Sequence, residues 1–118
     1  MGRAQRRGQV GEALAAAYLE LAGYVIEARN TRIAGVEVDL VASDERRRVV
    51  VEVKLRSRAD YGGAALAVGH AKRERLRRAA LALARGEVLP VRIDVIAIEL
   101  ESDSATVRHY RNAVTDGM

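Results

Sequence analysis

The chain has 118 residues, 18 of them arginine and two lysine, no cysteine, and a formal charge of +4 with a pI of about 10.0. That length supports one domain around a single core and excludes two ordinary domains, while the missing cysteines exclude disulfides and thiolate-bound metal. The basic balance makes nucleic acid the leading partner, with ordinary solvated surface arginine as the plain alternative.

Arg3, Arg6 and Arg7 precede the run Ala13-Leu14-Ala15-Ala16-Ala17, a superficial likeness to a secretion signal. Glu12 and Glu20 interrupt that run, and no apolar stretch of about 20 residues follows it, so the expectation is a cytoplasmic protein without membrane association. The pattern predicts a helix from about Gln9 to Leu21, ended by Gly23. Its expected apolar stripe is Val10, Leu14, Ala17 and Leu21, from which Glu12 projects about 200° away at roughly 100° per residue. A glutamate in a first helical turn suits the helix dipole as well as it suits a chemical role.

A strand is predicted near Tyr24 to Ala28, and a hairpin follows it. Val36-Glu37-Val38-Asp39-Leu40-Val41 and Val49-Val50-Val51-Glu52-Val53-Lys54-Leu55 both alternate with a period of two, joined by the polar stretch Ser43 to Arg48. Glu37 and Asp39 then share one face, and so do Glu52, Lys54 and Arg56. Pairing Val41 with Val50 aligns the apolar faces and sets Asp39 opposite Glu52 and Glu37 opposite Lys54. Facing like charges destabilise a sheet, so the Asp39–Glu52 pair points to a cation between them. Mg²⁺ or Mn²⁺ suits such a place, because hard cations take one or two carboxylates and leave room for water and a phosphate. Lys54 could orient that water or neutralise charge on the phosphate, which is the chemistry of phosphodiester hydrolysis. The plainer alternative is a salt-bridged solvent face of a hairpin.

Tyr61 lies beside Gly62-Gly63 in the next loop, either to stack on an unpaired base or as a plain loop tyrosine. A second helix is predicted from about Val68 to Ala84, stopping at Gly86. Lys72 falls on its inward face with Leu76, Ala79, Ala80 and Leu83, so it either reaches an anionic site or snorkels at the edge of the core. Arg73, Arg75, Arg77 and Arg78 lie mostly elsewhere around this helix, as phosphate contacts or solvated surface. After Pro90 come an apolar strand, Val91 to Leu100, and a short one around Ala105 to Tyr110. Asp94 sits on an otherwise apolar face and reads as the structural partner of an arginine. His70 and His109 are isolated and carry no expected chemistry.

The order α-β-β-β-α-β-β, with a strand-helix-strand crossover, predicts an α/β fold with a mixed sheet covered by helices. An Asp-bearing strand followed by a Glu-x-Lys strand resembles the PD-(D/E)XK nuclease superfamily, which includes Holliday junction resolvases. More of the chain resembles one branch, the YraN-like endonuclease family: Gly11-Glu12, Glu37 to Val41, Val51 to Lys54, Tyr61 to Ala64, Lys72 with Leu76, and Arg92 to Val95. The resemblance implies a restriction-endonuclease-like sheet, Asp39 and Glu52 as metal ligands, Lys54 assisting the attacking water, and Glu12 in support. It also implies branched or junction DNA as substrate. Val38 stands where the superfamily name has Pro, and Ile33-Ala34-Gly35-Val36 lacks paired glycines. The contrasting expectation is a catalytically silent nucleic-acid-binding module; a homodimer is left open by the sequence.

Overall fold

The structure is a computed structural model that describes residues 3–57 and 68–114. In chain order it forms α1 (Arg3–Leu21), β1 (Val25–Ile33), β2 (Val36–Ser43), β3 (Arg48–Ser57), α2 (His70–Leu83), β4 (Arg92–Leu100) and β5 (Ala105–Tyr110). The five strands make one sheet in sequence order. Neighbours are antiparallel except β3 and β4, which run parallel from Val49↔Arg92 to Ser57↔Leu100. The mixed sheet and the crossover helix are those the sequence implies.

α1 starts earlier than the apolar pattern suggests, because its first turns are Arg, Gln and Ala, which favour helix without showing a period. The expected stripe is also corrected. Val10 is 51% and Leu21 91% exposed, and the buried face is instead Gly11, Ala15 and Leu19, with Ala16 alongside. In a helix this rich in alanine, hydrophobicity does not say which side is inward; close approach does. At Gly11 an added Cβ would lie 3.5 Å from the Cβ of Leu55, so β3 packs against nearly bare helix backbone.

β1 runs further than Ala28, through the polar residues to Ile33. It turns into β2 at Ala34 and Gly35, with φ of 51° and 77°, and Ile33 pairs with Val36. Two central residues at positive φ form the tight turn whose twist matches a hairpin. At the next turn Asp44 Oδ1 accepts the N–H groups of Arg46 and Arg47 at 2.8 and 3.0 Å.

The helices cover opposite faces. Ala15, Ala16 and Leu19 of α1 pack with Leu40, Val49, Val51, Ile96 and Ile98, while Leu76, Ala79 and Ala80 of α2 pack with Val38, Val41, Val50 and Ile93. Val38 and Leu40, two residues apart, therefore join different cores. Strict alternation along β2 is broken at Asp39, and the candidate site lies at that break.

Candidate functional site

Val41 pairs with Val50 as expected, but the β2–β3 ladder ends at Leu40↔Val51. Beyond that point the simple register fails. Glu37 does not face Lys54 across a ladder; it is exposed and holds Arg32 Nη2 at 2.9 Å. Asp39 reaches across the opening, where its Oδ2 accepts the Val53 N–H at 2.8 Å. A side chain thus replaces a ladder bond and satisfies a donor that would otherwise lack a partner. The break in alternation is what turns Asp39 towards β3.

Glu52 is 8% exposed, and Lys72 Nζ lies 3.0 Å from its Oε1. The inward face of α2, through Leu76 and Ala79, fixes the lysine stem against the sheet, as its position in the sequence predicts. Burial pushes the Glu52 carboxyl up, the nearby Asp39 pushes it further, and Lys72 opposes both. Burial likewise raises Asp39, against the Val53 hydrogen bond and the charge of Lys72. Lys54 is pushed down by burial, then by Arg56, with Glu52 acting the other way. Asp39, Glu52, Lys54 and Lys72 therefore form one electrostatic group in which two desolvated carboxylates share incomplete compensation.

Asn30 of β1, at φ 48°, stands across from Asp39 in the gap between the pairs Arg29↔Leu40 and Thr31↔Val38. Its Nδ2 donates to Glu12 Oε2 at 2.7 Å. α1 thus brings Glu12 to Asn30 beside the Asp39 position, and no contact of Glu12 with Asp39 or Glu52 is among those described. Asn30 carried no signal in the sequence that would have singled it out.

Of the other expected residues, Arg56 acts on this group through its charge beside Lys54. Arg56 is half-buried with Nη1 on the Leu55 carbonyl at 3.0 Å, and Arg73 is half-buried on α2. The Arg77 side chain is 18% exposed and pairs with Glu74. Tyr61 lies outside the described residues. Among the described residues no three or more His, Cys, Asp or Glu side chains gather to hold a metal. No described helix is long and apolar enough to cross a membrane.

A second polar cluster occupies the α1 side of the sheet. Asp94 is fully buried; its Oδ1 and Oδ2 accept Arg92 Nε and Nη2 at 2.8 Å each, and Oδ1 also accepts the Asn112 N–H at 2.9 Å. The arginine partner is the one expected for Asp94. His109, which looked isolated, places Nε2 2.7 Å from Asp94 Oδ2 and Nδ1 2.9 Å from Tyr18 Oη. Arg92 also donates to Tyr24 Oη at 2.7 Å. Such a satisfied network ties β4, β5 and α1 together and holds the arginine well above its ordinary pKa.

Comparison with known proteins adds a family. The profile of the uncharacterised protein family UPF0102 matches residues 11–98, a span that holds Glu12, Asp39, Glu52, Lys54 and Lys72. A UPF0102 protein of Geobacter sulfurreducens is 49% identical over 110 residues, covering 90% of this chain and 86% of its own. One from Symbiobacterium thermophilum is 46% identical over 98 residues, covering 80% and 83%. Another, from Roseiflexus castenholzii, is 39% identical over 121 residues and covers 98% of both chains.

Proposed function

We propose that this chain, which belongs to the UPF0102 family, is a cytoplasmic Mg²⁺- or Mn²⁺-dependent nuclease of PD-(D/E)XK type that hydrolyses phosphodiester bonds in DNA. Branched or junction DNA is the substrate class that its YraN-like resemblance implies. One observation carries the reading: Asp39 crosses the end of the β2–β3 ladder to the Val53 N–H, next in sequence to a nearly buried Glu52 whose carboxyl its charge raises, with two lysines near by.

The donor set suits a hard divalent cation. Burial pushes both carboxylates towards the neutral form, and the charge of Asp39 pushes Glu52 further. The Val53 N–H engages Asp39 Oδ2 and Lys72 engages Glu52 Oε1, so each carboxylate has another oxygen that these contacts do not use. Asp39 and Glu52 would hold the metal, which when bound polarises a phosphoryl oxygen and lowers the pKa of water.

The protein's own groups do the rest. Val53 N–H orients the Asp39 carboxylate, and Lys72 moderates the charge at Glu52. Lys54 carries an ammonium whose proton is held less tightly than usual, because burial and Arg56 both disfavour its charge. Such a group can orient a water or meet charge developing on a phosphate. Glu12 acts at one remove, through Asn30.

A silent nucleic-acid-binding module is the rival, and the Lys72–Glu52 pair favours it, since it gives Glu52 a counter-charge without metal. Calorimetric titration with Mn²⁺ separates the two. The nuclease reading expects a binding isotherm that disappears in Asp39→Asn and in Glu52→Gln. The silent module expects no heat that depends on either acid.

A further inference from the structure

Beside the candidate site, between the Ala34–Gly35 turn and the start of α2, lies a groove of about 270 Å³. Arg32, Lys72 and Arg75 line it over Val36 and Leu76, and Glu37 is the acid among its lining residues. Lys72 belongs to both places, since the same ammonium pairs with Glu52. Arg75 is exposed and meets no carboxylate among the described residues. Arg32 rests on Glu37 at 2.9 Å and on the Gly35 carbonyl at 3.3 Å. With side chains 67% and 80% exposed, that ion pair is screened and weak enough to open for a stronger acceptor.

Three cations gathered round one exposed carboxylate repel one another, and an anion in the groove would reverse the sign of that interaction. Planar guanidinium forks match phosphate oxygens and take them in pairs, which a solvated lysine cluster does not do. At roughly 30 Å³ per water in the liquid, the groove has room for about nine waters, more than a lone phosphate fills and enough for a phosphate with an attached sugar. Its polar walls and apolar floor suit that ligand better than a small inorganic ion.

We propose that this groove is a phosphate subsite for a nucleic-acid strand, in which Arg32 and Arg75 grip the phosphodiester neighbouring the one at Asp39 and Glu52. The subsite rests on the nuclease reading only for which phosphate is its neighbour. Lys72, common to both places, would couple strand binding to the charge at Glu52.

The test is equilibrium binding of a labelled DNA oligonucleotide in chelator, repeated across salt concentrations, so that no cleavage enters. The doubly substituted Arg32→Ala, Arg75→Ala protein should lose about 0.7 in log–log salt slope for one single-strand phosphate contact. Arg46→Ala with Arg47→Ala removes as much charge from the turn after the other end of β2, about 25 Å along the strand at 3.3 Å per residue. It should leave the slope unchanged. Equal losses from the two double variants would make the effect diffuse attraction and overturn the subsite. Competition by a nucleoside monophosphate that depends on Arg32 and Arg75, with the oligonucleotide's slope unaffected by their loss, would assign the groove to free nucleotides and also overturn it. Parent protein that shows the slope difference yet never cleaves DNA with Mn²⁺ would sink the nuclease reading and leave the subsite standing.

Discussion

Lys72 Nζ sits 3.0 Å from Glu52 Oε1, so the ammonium that neutralises Glu52 comes from the helix that forms the β3–β4 crossover. A carboxylate only 8% exposed is costly to leave unpaired, and the lysine offsets that cost. Lys72→Met should therefore lower stability in chelator by about 1–3 kcal/mol at neutral pH, the usual scale for stranding a buried polar or charged group. If Asp39 and Glu52 bind a divalent ion, Mn²⁺ should restore more of the denaturation midpoint in this variant than in the parent. An equal gain in both proteins would place the metal elsewhere.

Asp39→Asn and Glu52→Gln should each lower Mn²⁺-dependent cleavage by about 10²-fold or more, while the fold survives. Both carboxyls are raised in the folded protein, chiefly by burial. Their stabilising contribution is then fully present below the ordinary carboxylate pKa and is lost as pH rises through the folded value. In chelator the variants should match the parent in acid and become the more stable proteins as pH climbs towards neutrality. Denaturation midpoints measured across that range decide it; variants less stable than the parent at neutral pH would make the two acids structural partners.

Lys54→Ala should cut the single-turnover rate at saturating DNA while changing affinity little, because a charge set against the reacting phosphate acts mainly on the transition state. Loss of affinity with an unchanged saturated rate would make Lys54 a phosphate clamp.

Asp94→Ala should cost about 3–5 kcal/mol, since it strands Arg92 and His109 in a buried network. Where the variant remains folded, its Mn²⁺ isotherm should equal the parent's. A folded Asp94→Ala protein without Mn²⁺ binding would make Asp94 part of the metal site.

The element order, the crossover and the Val41↔Val50 pairing were legible because they rest on period-two and helical patterns, which side-chain burial enforces. Lys72 was legible for the same reason: its face of α2 is set by Leu76 and Ala79. The failures have separate causes. Extending a perfect ladder past Leu40 put Glu37 against Lys54, whereas β2 changes faces at Asp39 and the carboxylate takes a backbone donor instead. A local break in alternation leaves no mark in a string of Val, Glu and Asp. The inward side of α1 was hidden because alanine is apolar on every side, and His109 looked isolated because its partners Asp94 and Tyr18 are brought to it only by the sheet.

The central claim is that Asp39 and Glu52 together support metal-dependent hydrolysis of DNA. Its most direct test is single-turnover incubation of labelled linear, flap and four-way DNA with Mn²⁺, comparing the parent with Asp39→Asn at concentrations where both bind the DNA. Cleavage of at least one substrate by the parent, lost in Asp39→Asn and in chelator, is the result predicted. Intact DNA with every substrate at saturating protein and Mn²⁺, or cleavage undiminished in Asp39→Asn, would contradict it.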